Sequence, residues 1–229
     1  MRATDPPSPV WARGNGAVRC QVNSVNYVDF YYLEKYLFEQ VGPRFCERGT
    51  LRAFDFFCIV IWKANRAKSK VATRLLSITK LDDLESSVEQ LRRELSSGKT
   101  RKARMRVLIE NWKLRLPMAS AILTVLYPRD FTVYDVRVVG VVKLDDKATR
   151  NRLLRLADER WSDSLWLGYE KFVESVKKSA PAKLPLRDKD RWLWGKSVYL
   201  QLTKDIGSWE RSFKKTPQVK GKSESGSQK

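Results

Sequence analysis

The chain predicts an all-α fold. Apolar residues recur at alternating steps of three and four over most of its length, and glycines and prolines fall at the ends of those runs. Only 131–142 is rich in β-branched residues, and read alone that segment is compatible with a strand.

The elements follow in order. The aromatic-rich run 26–41, with Tyr31, Tyr32, Tyr36 and Leu37, is expected to end at Gly42-Pro43, a left-handed cap followed by a residue that cannot continue a helix. Positions 52–62 are apolar almost throughout (Phe54, Phe56, Phe57, Ile59, Val60, Ile61), which predicts a central helix buried on all sides. Thr79 with Asp82 resembles a capping box opening a helix whose Leu81, Leu84, Val88, Leu91 and Leu95 share a face, with Gly98 as its stop. A helix over 102–112 follows. Pro117 then sits at the first turn of another, lined by Met118, Ala121, Ile122 and Val125 and ended by Pro128. Trp161, Leu165, Tyr169, Phe172 and Val176 define one further helical face, and a basic, aromatic helix is expected over 187–202. The sum is about nine helices around one or two cores.

Composition narrows the chemistry. At 229 residues the chain can bury a core without staples, and Cys20, Cys46 and Cys58 are too far apart for a readable disulfide framework or Cys-x-x-Cys site, which predicts a reducing compartment. Histidine is absent, so Ser-His-Asp and Cys-His nucleophiles and histidine-ligated metals are excluded. Carboxylates, lysines, tyrosines or water must act instead. The net charge is +19; residues 214–229 contribute +4 of it, leaving +15 on the rest, an excess that attracts a polyanion such as nucleic acid. No run approaches about 20 uninterrupted apolar residues and no cleavable leader is visible, so no membrane partner and a cytoplasmic location are expected. Residues 1–19 and 214–229 read as a disordered arm and a disordered basic tail around a folded region, 20–213.

One segment carries a resemblance. Residues 108–139 order a helix, a short hairpin, a small-residue helix, an extended link and an aspartate opening another helix: LIENWKLRLPMASAILTVLYPRDFTVYDVRVV. This order resembles the helix-hairpin-helix (HhH-GPD) superfamily of DNA glycosylases, closely over about 30 residues and loosely over 50–145, with the hairpin at about 109–127. The resemblance implies a two-lobed helical fold with the active-site cleft between the lobes, a double-stranded DNA partner and no cofactor or metal. It places Asp135 at the catalytic position. Aspartate before an apolar stretch is also a routine helix N-cap, and in the family the residue does both jobs. Cleavage of an N-glycosidic bond builds positive charge on the sugar, which a fixed carboxylate stabilises.

The departures are informative. The hairpin 112–116 has no glycine, so its turn differs from the family's or one bulky residue takes positive φ. Pro117 or Met118 stands where lyase-active members carry a Schiff-base lysine, which implies hydrolysis without β-lyase activity unless Lys63 or Lys113 intervenes. Arg137 replaces a frequent histidine, and no cysteine follows Cys58, which excludes the iron-sulfur branch.

Other candidates flank this core. Lys113 and Arg115 border the hairpin, where helix N-terminal N–H groups meet a phosphate. The run Trp62-Lys63-Ala64-Asn65-Arg66 leaves a buried helix and resembles the family's amide-containing stretch at that point; the resemblance implies that Asn65 fills the gap of a flipped base, with Trp62 lining its pocket and Lys63 and Arg66 holding phosphates. The same basic residues also complement a helix dipole. Trp192 and Trp194 offer faces for a flipped ring or pack in a core, and Asp188 and Asp190 are reserve carboxylates. The chain is thus expected to be a monomeric DNA glycosylase acting on a modified base, in base-excision repair or in antiviral defence against phage DNA with hypermodified cytosine. The alternative is a non-enzymatic helix-hairpin-helix module on DNA or RNA. A nuclease is disfavoured because no carboxylate cluster has metal-ligand spacing.

Overall fold

The computed structural model describes residues 27–215, with side chains of Asp29 and 212–215 left aside. Every regular element among them is helical: α1 (Tyr27–Tyr31), α2 (Leu33–Tyr36), α3 (Gly42–Arg48), α4 (Ala53–Ala64), α5 (Lys68–Thr79), α6 (Leu84–Ser97), α7 (Arg101–Arg106), α8 (Leu116–Leu126), α9 (Val136–Val141), α10 (Lys147–Arg155), α11 (Asp163–Ser179) and α12 (Leu186–Lys215). The expected arm 1–19 and most of the basic tail 214–229 lie outside the described residues. No described helix is long and apolar enough to cross a membrane.

The core forms around α8, whose residues are nearly all buried, and α4 packs along it. Ala119 and Ala121 let the neighbouring helices come close, and Pro117 occupies the first turn as the sequence predicts. α11 buries Leu165, Tyr169, Phe172 and Val176 of the expected face, whereas Trp161 precedes the helix and is half-buried. α4 is not buried all round. Phe54 and Ile61 are exposed, because α4 covers α8 from one side only.

Several boundaries differ from the sequence expectation; the largest difference is at the last helix, expected over 187–202 and found over Leu186–Lys215. The first helical run does not stop at Gly42-Pro43: a wide π-turn over Leu37–Val41 shifts the hydrogen-bond ladder, and Pro43 falls at the start of the new run α3, where its missing N–H is no loss. The true stop is Gly49, at φ +64°. Gly42 serves close packing instead, since a Cβ there would lie 2.7 Å from the Val125 carbonyl oxygen on α8. Thr79 closes α5 rather than opening α6; the cap of α6 is Asp83, whose carboxylate accepts from the Ser86 N–H at 2.7 Å. Asp83 wins because its side chain reaches three residues forward with the chain extended, whereas Thr79 bonds back to Leu75. Finally, 131–142 forms no strand: 131–135 is an extended link and Val136–Val141 is helical, and no neighbouring strand exists among the described residues to pair with it.

The link 131–135 is tied on both sides. The Tyr169 hydroxyl donates to the Thr132 carbonyl at 2.8 Å and accepts from the Thr132 N–H at 3.1 Å, while the Tyr134 N–H donates to Ser120 Oγ on α8 at 2.9 Å. The buried Tyr134 hydroxyl reaches the Leu153 carbonyl of α10 at 2.5 Å, and burial pushes both phenols up. Extended backbone buried in a helical core needs such partners for its N–H and C=O groups.

Gly42→Ala forces a methyl group into the Val125 carbonyl. A loss of about 1–3 kcal/mol in urea unfolding is expected, whereas Gly49→Asn, which tolerates the left-handed cap, is expected to cost less.

Candidate functional site

A cleft of about 590 Å³ opens where α4, α9 and α12 meet below α2. Its walls hold Trp62 and Lys63 from the end of α4, Val133 and Asp135 from the link, Arg137 from α9, Glu34 from α2, and Arg187, Asp190, Arg191 and Trp194 from α12. The α12 residues recur at helical spacing, so one face of that helix forms a whole wall.

Asp135 is the N-cap of α9. Its Oδ1 accepts from the Arg137 N–H at 2.9 Å, and its Oδ2 accepts from Lys63 Nζ at 3.0 Å. The carboxylate is 22% exposed, toward the cleft it lines. A carboxylate has about four acceptor directions, so two are left for a ligand or water. Lys63 also donates to the Tyr134 carbonyl at 3.5 Å and is itself only 15% exposed. The ammonium at the end of α4 thus bridges the last turn of one helix to the first turn of another, each end favourable for its charge.

Facing this pair is Asp190, 3% exposed and bonded to Arg187. Arg187 sits over the rings of Phe38 at 4.7 Å and Trp62 at 5.1 Å and bonds Glu34 at 2.7 Å; Arg191 reaches the same Glu34 oxygen at 3.2 Å. The buried Arg187 Nε has no hydrogen-bond partner. These residues hold α12 against α2 and α4 and place two aromatic faces, Trp62 and Trp194, on a cleft of mixed charge.

The structure brings together five of the predicted site residues: Trp62, Lys63, Asp135, Arg137 and Trp194. Trp192 is not among the residues that line the cleft; two residues from Trp194 it points about 200° away around the helix, and the Lys196 ammonium covers its ring at 5.3 Å. Asn65 and Arg66 are exposed on the 3-10 turn after α4, where Lys68 donates to Asn65 Oδ1 at 2.8 Å.

Lys113 and Arg115 belong to a separate basic groove of about 580 Å³ lined also by Arg74, Arg160 and Trp161. Lys113 is the residue that takes positive φ, at +52°, in the glycine-free turn, and its carbonyl accepts from Arg74 at 2.9 Å. Arg115 donates to the Asp158 carbonyl. Sequence reasoning did not single out Glu34, which lies 153 positions from its partner Arg187. Arg187 opens the expected helix over 187–202 and has no role assigned to it from the sequence.

Compared with family models, curated proteins and solved structures, the chain matches none.

Burial pushes the Asp190 carboxyl up from 3.8 to about 6, against the lowering pull of Arg187 and Lys63. The folded chain therefore keeps a proton that the unfolded chain releases over that interval. The resulting stabilisation is complete below the lower value and is lost as pH rises through the higher one. Asp190→Asn, neutral at every pH, is expected to match wild type near pH 4 and to exceed it by up to about 3 kcal/mol above pH 7. Denaturant unfolding across that range checks this, and a pH-independent difference would contradict it.

Proposed function

We propose that this protein is a DNA glycosylase that flips a modified base out of duplex DNA and hydrolyses its N-glycosidic bond, acting in base-excision repair or in defence against phage DNA carrying hypermodified cytosine. The observation that carries the reading is the Asp135 carboxylate, capped on α9, tied to Lys63 and open to a cleft with two tryptophans. The cleft's size lies within the roughly 300–1,000 Å³ of pockets that enclose small ligands. Trp62 and Trp194 line the space a base would enter, and Arg137 offers charge to a flanking phosphate.

In this reading the bond from C1′ to the base nitrogen breaks with its electron pair leaving on the base. Positive charge grows on the sugar, and Asp135 faces it at fixed distance with no reorganisation needed. Water then adds to C1′ and gives up one proton, while the departing base takes up another. The net reaction is hydrolysis. Lys63 holds the carboxylate in place, and its ion pair with Asp135 favours this positioning role over attack on the sugar. The product is therefore an intact abasic site, without strand cleavage by β-elimination. The hairpin groove with Lys113, Arg115 and Arg74 supplies a second basic contact for backbone phosphates, with Asn65 and Arg66 as further exposed groups on the 3-10 turn.

Purified protein incubated with duplexes carrying a panel of modified bases, and with genomic DNA of phages with hypermodified cytosine, is expected to give breaks only after alkali treatment. No borohydride-trapped adduct should form. Asparagine also caps helices, so Asp135→Asn keeps the fold and is expected to lower the rate about 10²–10³-fold. Breaks with neither substrate set would defeat the enzymatic reading; equal rates in variant and wild type would defeat the role of Asp135.

A further inference from the structure

α12 is covered by the folded body on one face only, and the opposite face is apolar. Asp190, Leu193 and Ser197 are buried against the protein, and Gln201 on the same side accepts from Arg137. On the opposite side Trp192, Tyr199, Leu202, Ile206 and Trp209 recur at steps of seven, three, four and three. They stay exposed, Tyr199 by 71% and Trp209 by 62%, whereas Leu193 is fully buried. From Tyr199 to Arg211 nearly every residue is exposed, so the helix runs on beyond the body. Such spacing is the a/d seam of a coiled coil, which supercoils only when a second helix covers it.

The charges beside the stripe select the second helix. With Tyr199 and Ile206 as a positions and Leu202 and Trp209 as d positions, the e positions are Lys196, Thr203 and Glu210 and the g positions Arg191, Val198 and Asp205. In a parallel pair of identical helices g meets the following e, which sets Asp205 against Glu210 on both flanks, while Arg191 is held by Glu34 and Asp188 and leaves Lys196 without an acidic partner. In an antiparallel pair e meets e: Lys196 faces Glu210 of the second copy at both ends, with Thr203 beside its own counterpart. Asp205 is then the single like pairing. The apolar layers complement each other in that register, Leu202 on Ile206 and Tyr199 on Trp209 of the second copy.

We propose that the C-terminal half of α12 pairs antiparallel with that of a second copy of this chain, forming a two-fold dimer in place of the monomer expected from the sequence. The seam lies opposite the face that buries Leu193 and Ser197, and its residues 199–209 follow the cleft residues 187–194 along the helix, so dimerisation leaves the cleft open and would carry two clefts on one assembly. This inference stands apart from the glycosylase reading.

Sedimentation equilibrium of the full chain tests it. Wild type is expected to be dimeric at micromolar concentrations and above, and Leu202→Glu with Ile206→Glu to be monomeric with unchanged helical circular dichroism below its unfolding transition. Lys196→Glu alone and Glu210→Lys alone are each expected to weaken association by about tenfold or more, and the double charge exchange to restore it. A wild-type monomer, or a dimer indifferent to the two glutamates, overturns the proposal. Failure of the double exchange to restore association overturns the antiparallel register and the proposal with it.

Discussion

The placement of one carboxylate organises this molecule. Asp135 is reached by a stretch of extended backbone that an all-helical core has no regular means of accommodating, and three side chains from three helices provide the missing partners: Ser120 from α8 and Tyr169 from α11 bond the backbone of the link, and Lys63 from α4 bonds the carboxylate. Hydrogen bonds of this kind contribute about 1 kcal/mol each when formed but cost more when a buried group is left without its partner. The link is thus specified by the penalty for every alternative path, and Asp135 inherits that rigidity.

The second organising feature is charge. Glu34, Arg187, Asp190 and Arg191 join the first helical segment to the last across the mouth of the cleft, and the Arg187 guanidinium stacks on Phe38 and Trp62. Acidic and basic groups alternate around the cleft, so its interior is polarised but not uniformly positive. The unpaired excess of positive charge sits instead on exposed residues outside it, such as Arg66 and Lys113, where it can steer a polyanion at long range without raising the cost of the buried ion pairs.

Much of the fold was legible because local rules and tertiary packing agree. The α11 face, the proline at the start of α8 and the cap at Asp135 all follow from side chains acting within one helical turn. The glycine-free hairpin is the sharpest case: steric reasoning demanded one strained or altered turn residue, and Lys113 at φ +52° is that residue. The misread boundaries have a shared cause. Gly42-Pro43 looks like a stop only if the ladder before it is α-helical, and the π-turn over Leu37–Val41 is set by packing against α8 rather than by any local signal. Most β-branched residues of the 131–142 segment (Thr132, Val133, Val138, Val139, Val142) are buried, and burial alone does not make a strand. Of the site, Trp62, Lys63, Asp135, Arg137 and Trp194 were found along the sequence and do meet in space, whereas Trp192 fails on helical geometry two positions from Trp194. Glu34 was unreadable, since nothing links it to Arg187 except the folded structure.

The role proposed for Asp135 is electrostatic: its carboxylate is held where the sugar of a glycosylase substrate would carry positive charge. It is tested most directly by competitive binding of two duplexes, one containing a pyrrolidine nucleotide whose protonated ring bears the charge of the sugar cation, the other its neutral tetrahydrofuran isostere. A site complementary to the charged state binds its mimic more tightly. The account predicts a preference of about tenfold or more for the pyrrolidine duplex, abolished in Asp135→Asn. Equal affinity of the wild-type protein for the two duplexes would contradict it.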